Sequence, residues 1–127
     1  MWRVAIYGRE APGRAGRGRL DRQVNALATQ VTRQPDWQHL ATYGDQDFGV
    51  GRPGLSRLLV EAPGRIDLLV VDGYGRLSPN RQELNALLAQ LGGAGVRVVV
   101  LRPPTGRRLA RAVANLALAD VIASAAR

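Results

Sequence analysis

Apolar and polar positions change period several times along the chain, and each change marks an element. Val4-Ala5-Ile6-Tyr7 is a short apolar run that predicts a first strand. The segment Pro12-Gly13-Arg14-Ala15-Gly16-Arg17-Gly18 follows, and its proline and glycines predict a flexible loop. Leu20, Val24, Leu27 and Val31 recur at helical spacing and form one apolar stripe. Trp37 to Tyr43 reads as a second strand. Pro53 suits the first turn of a helix whose buried face is Leu55, Leu58 and Leu59, and Pro63-Gly64 ends it. Ile66-Asp67-Leu68-Leu69-Val70-Val71 is nearly continuous in apolar residues, the pattern of a strand covered on both faces. Beyond the loop Gly73-Tyr74-Gly75, Leu84, Leu87, Leu88 and Leu91 mark a helix that Gly92-Gly93 closes. Val96 to Leu101 reads as a fourth buried strand, stopped by Pro103-Pro104. A last helix from Gly106 carries Leu109, Val113, Leu116, Val121 and Ile122.

Strands alternating with helices predict an α/β fold. The expected architecture is a three-layer sandwich: a mostly parallel sheet of four to five strands, helices on both faces, and a C-terminal helix able to pair subunits. The pattern shows no repeat, low-complexity tract or linker, so residues 1–127 are expected to form a single domain. No apolar run approaches the roughly 20 residues that span a bilayer, and the N-terminus lacks a secretory pattern. A cytoplasmic location without membrane association is the resulting expectation. The chain has no cysteine and one histidine, which excludes disulfides, thiolate-metal sites and histidine-rich metal sites. No cofactor is expected, and His39 reads as a surface or strand residue.

Charge changes the picture. The formal net charge is +8, and all 18 basic residues are arginine. The guanidinium fork is well suited to phosphate. Codon bias in a GC-rich genome also accounts for the missing lysines, but not for the crowding of Arg9, Arg14, Arg17, Arg19 and Arg22. That crowding reads either as a solvated loop or as a phosphate-facing one.

The motifs narrow the alternatives. Tyr7-Gly8-Arg9-Glu10-Ala11 closes the first strand, and Leu20-Asp21-Arg22-Gln23 opens the first helical stripe. Arg52-Pro53-Gly54-Leu55 leads into Leu58-Leu59, and the strand at 66–71 leads into Arg76-Leu77-Ser78. Gly95-Val96-Arg97-Val98 and Thr105-Gly106-Arg107 follow in order. Together these resemble the catalytic domain of the serine recombinases of the resolvase/invertase family, over almost the whole chain. The corresponding family elements are Tyr-x-Arg-x-Ser, Leu-Glu-Arg-Gln, Arg-Pro-x-Leu with Leu-Leu, Asp-Arg-Leu-Ser-Arg, the last strand and the opening of the dimerisation helix. The resemblance implies a serine that attacks a DNA phosphodiester, surrounded by arginines that neutralise the transition state. It places Arg9, Arg52 and Arg76 in that arginine cluster, with Tyr7 and Gln23 as further phosphate- or DNA-binding candidates.

Departures from the family pattern carry the functional expectation. Ala11 stands at the nucleophile position, and no serine precedes Ser56. Gly75 replaces the aspartate expected before Arg76, and Pro79 replaces an expected arginine. The loop before Arg52 is shorter than usual and lacks its Ser-Gly pair. Ser78 matches the small residue of Arg-Leu-Ser rather than the nucleophile, and Thr105 suits a helix cap. Losing a covalent nucleophile costs at least ~10⁴-fold in rate. Hydrolysis by water would need a base such as Asp72 or Glu10. The expectation is therefore a domain without strand exchange and with no catalytic residue.

Three roles remain open at this point. One is a dimerising module that engages DNA backbone weakly, pairing as a homo- or hetero-oligomer through Leu109, Val113 and Leu116. The second is an enzyme of another class that uses the arginines for a small phosphorylated ligand. The third is a pure protein-interaction module. In the bland alternative, Arg9, Arg52 and Arg76 are surface arginines paired with Asp45, Asp47 or Asp72, and the last helix simply packs on its own sheet. The end of the chain at Arg127 leaves no separate module for reading base edges, so any DNA contact is expected to be to phosphates and salt-sensitive.

Overall fold

The first strand, β1 (Trp2–Arg9), is buried from Val4 to Arg9, because the sheet continues on both sides of it and helices cover both faces. The computed structural model describes residues 1–46 and 51–101. In chain order the remaining elements are α1 (Arg14–Thr32), β2 (Trp37–Asp45), α2 (Pro53–Glu61), β3 (Leu68–Val71), a 3₁₀ turn (Tyr74–Arg76), α3 (Arg81–Gly93) and β4 (Arg97–Val100). The four strands lie in the order β2-β1-β3-β4 and pair in parallel throughout. The expected α/β sandwich is thus present, and its four strands among the described residues fall within the expected four to five.

Alternation along β1 assigns its side chains to two cores. Ala5 and Tyr7 join Leu55, Leu58, Leu87 and Leu91, so α2 and α3 cover one face. Val4 and Ile6 join Leu27 and Val31, so α1 covers the other. Each such fully buried aliphatic side chain contributes about 1.5–3 kcal/mol. The β1–β2 ladder carries one irregularity: Val4 lies opposite His39 and Ala5 opposite Ala41, so Leu40 is an inserted bulge residue. His39 is exposed on this strand, as expected for a surface position, with Nε2 2.8 Å from Thr42 Oγ1.

One sequence expectation is corrected. Pro12 to Gly18 is not a loop, because α1 already starts at Arg14. Gly13 makes the entry at φ 94°, and Gly16 is buried so tightly that a Cβ there would run into the Ala11 carbonyl. Glycine at position 16 is required by packing, which outweighs its weak helix propensity. The expectations for Thr105, for the helix bearing Leu109, Val113 and Leu116, and for Asp47 fall outside the described residues. Among the described residues, no helix is long and apolar enough to cross a membrane.

Candidate functional site

Strand order locates the crevice. From β1 the chain moves outward to β2, then returns past β1 to β3, so the winding reverses between β1 and β3. In open parallel sheets, ligands bind outside the carboxyl ends of the strands at such a reversal. Arg9, Glu10 and Ala11 leave β1 there, Asp45 ends β2, and Asp72 and Arg76 follow β3.

The deepest layer is built on Tyr7 and Asp45. Tyr7 is fully buried, and its hydroxyl donates to Asp45 Oδ2 at 2.7 Å. The same carboxylate accepts from the Gly54 and Leu55 amides at 2.8 and 2.9 Å. These amides lie in the first turn of α2, which has no capping side chain of its own. Asp45 therefore caps α2 across the fold, and its charge complements the helix dipole. Burial, followed by the Asp45 hydrogen bond, raises the Tyr7 pKa well above the usual phenol value. Arg52 closes this layer. Its Nη2 donates to the Tyr7 hydroxyl at 2.8 Å and to the Arg76 carbonyl at 2.9 Å, and its Nη1 donates to the Leu77 carbonyl. The guanidinium also sits over the Tyr7 ring, 5.7 Å from its centroid.

The outer layer surrounds Arg9, of which only 3% is exposed. Gln23, buried on α1, locks the end of β1: its Oε1 accepts from the Arg9 amide at 3.0 Å, and its Nε2 donates to the Arg9 carbonyl at 3.3 Å. Burial and then the neighbouring Arg52 charge lower the pKa of the Arg9 guanidinium. Arg76 reaches across from the 3₁₀ turn, and its Nη1 donates to the Arg9 carbonyl at 2.9 Å. Its Nε and Nη2 hold Asp72 at 2.7 and 3.3 Å. Asp72 is the main cause of a raised Arg76 pKa. Glu10 approaches Arg76 Nη1 at 3.4 Å and Arg19 Nε at 3.3 Å. Ala11 follows directly, half-buried, and its carbonyl accepts from Gln46 Nε2 at 3.4 Å.

The structure thus brings Tyr7, Arg9, Gln23, Arg52 and Arg76 into one cluster at the head of the sheet. Their bonds are largely internal: Arg52 braces two carbonyls, Gln23 fixes one strand end, and Arg76 pairs with Asp72 as the bland reading held. Asp45 binds Tyr7 and the α2 amides. Ser78 is 2% exposed, and its Oγ accepts from the Asn80 amide at 3.0 Å, so it is occupied as a turn residue. The arginines at 14, 17 and 22 lie exposed along α1. Sequence reasoning missed the cap made by Asp45. Its only trace was negative, a helix opening on Arg-Pro with no capping residue before it.

A family model described as "Resolvase, N terminal domain" matches residues 4–127. The chain belongs to that family. Among solved structures, the C-terminal catalytic domain of ISC1926 TnpA, an IS607-like serine recombinase, superposes with a TM-score of 0.70 at 22% identity, covering 81% of this chain and 72% of that one. A resolvase family site-specific recombinase from Streptococcus pneumoniae gives 0.67 at 14% identity, with coverages of 94% and 88%. The N-terminal catalytic domain of TP901-1 integrase gives 0.67 at 22% identity, with coverages of 96% and 95%. These likenesses share the resolvase fold. No curated protein matches the chain by sequence.

Proposed function

We propose that this resolvase-type domain has lost strand cutting and serves as a dimerising module that engages DNA backbone weakly. The observation that carries the reading is Ala11, which follows Arg9 and Glu10 off the end of β1 with a methyl group where the family motif has a hydroxyl. A methyl group has no lone pair with which to attack phosphorus, so no covalent protein–DNA intermediate forms through it. Ser78, the nearest alternative, is buried and hydrogen-bonded. The cluster of arginines and the net charge of +8 support engagement of the phosphate backbone. Pairing through Leu109, Val113 and Leu116 rests on the family resemblance of the last helix.

Two measurements test this. Incubation with nicked suicide DNA is expected to trap no covalent adduct, and an adduct at any residue overturns the loss of cutting. Sedimentation with and without duplex DNA is expected to show an oligomer that binds at low salt and releases at high salt. Log K should fall against log salt with a slope of roughly −1 for each arginine that contacts phosphate. A monomer indifferent to DNA at low salt would defeat the reading.

A further inference from the structure

We propose that Glu10 is a built-in anion seated in the arginine cluster, which an incoming phosphate must displace. This rests on the reading above and adds to it a residue that sets the threshold for binding. Both carboxylate oxygens of Glu10 are engaged. Oε1 lies 3.4 Å from Arg76 Nη1 and 3.4 Å from Gln23 Nε2, while Oε2 lies 3.3 Å from Arg19 Nε. Donors from α1 and from the turn after β3 thus converge on one acidic side chain, immediately before Ala11. Two oxygens facing several cationic or amide donors reproduce the way such a cluster would hold two oxygens of a phosphodiester.

The two acids on Arg76 differ in kind. Asp72 takes Nε and Nη2 together, with its shorter contact at 2.7 Å, and is a fixed part of the turn. Glu10 makes only contacts of 3.3–3.4 Å, spread over three different residues. Its backbone is anchored independently, because the Glu10 amide donates to the Asp45 carbonyl at 3.1 Å. The side chain can therefore swing to solvent without disturbing the strand end. Until it does, its charge repels any second anion at the same donors.

Glu10→Gln keeps the shape and removes the charge, and Glu10→Ala removes both. Asp36→Asn makes the same change in net charge at an exposed position away from the cluster. Binding of a short duplex at low salt, by fluorescence anisotropy, and of inorganic phosphate, by NMR of the arginine Nε resonances, would be compared after melting curves confirm folding. Both Glu10 variants are expected to bind about tenfold tighter than Asp36→Asn, as removal of a partly screened charge within contact distance implies. Equal affinities for the Glu10 variants and Asp36→Asn would overturn the inference and leave the DNA reading standing. A gain for inorganic phosphate without any DNA binding would uphold Glu10 as the occupant and defeat the DNA reading. No binding of either probe by any variant would defeat both.

Discussion

Arg52 and Tyr7 show that a side chain aligned with a functional motif can be committed to holding the fold. Arg52 satisfies two carbonyls and a hydroxyl from a side chain only 11% exposed, so its guanidinium is a brace between α2 and the turn after β3. Arg52→Lys puts a single ammonium where a planar fork reached several acceptors, and should destabilise by about 2–4 kcal/mol through orphaned buried acceptors. Urea denaturation would read this, and an unchanged midpoint would show that the brace is dispensable. Tyr7→Phe removes the hydroxyl between Asp45 and Arg52 and is expected to cost about 1–3 kcal/mol without changing the fold. Both positions were legible as members of one cluster, since the motifs named them. Their bonds were not, because Tyr7 meets residues 38 and 45 positions away, and such pairings depend on the finished sheet.

Among the elements, α1 shows where pattern reading fails. Glycines at 13, 16 and 18 look like a loop to any propensity argument, yet five residues of that segment belong to the helix. Gly16→Ala should raise intrinsic helicity by up to about 1 kcal/mol and still destabilise the protein by about 2–3 kcal/mol, because the added methyl meets the Ala11 backbone. A gain in melting temperature would contradict that packing. The strands and the other helices were readable because their apolar periods follow directly from burial on one or two faces. At the opposite end of the sheet, Arg3 and Asp67 join β1 to the approach of β3: Nε and Nη2 of Arg3 donate at 3.1 and 3.0 Å, and its amide at 2.8 Å. The Arg3 side-chain hydrogen bonds, which are the largest influence, hold the Asp67 carboxyl below its ordinary range. A depressed folded-state pKa means that this contribution is complete above the unfolded value of about 3.9 and is lost as pH falls through the folded value. Asp67→Asn should therefore be less stable than wild type at neutral pH, with the gap narrowing in acid. A gap independent of pH would remove the carboxylate as its cause.

At the level of the whole molecule, topology does more than any single residue to define the site. The winding reversal between β1 and β3 would bring the ends of those strands together whatever side chains they carried, and the chain uses that place for arginines and carboxylates. Were Ala11 the sole bar to cutting under the proposed reading, Ala11→Ser would restore trapping of nicked DNA. Gly75 and Pro79 also depart from the family motif, and Glu10 occupies the neighbouring donors, so the single reversion is expected to yield no adduct in a denaturing gel assay. A strong adduct band would reduce the proposed loss to one atom. The extra residue at Leu40 has a consequence of its own. Trp37 and Tyr43 are six positions apart and in an unbroken strand would share a side, yet Trp37 packs in the core under α1 and Tyr43 in the core under α2 and α3. One inserted residue switches the parity of the strand midway, and that switch turns Asp45 toward Tyr7 and the start of α2. Excising Leu40 would leave Trp37 and Tyr43 five positions apart in an unbroken ladder, on opposite sides as they are now, so the bulge absorbs one surplus residue and lets the same aspartate reach the helix it caps.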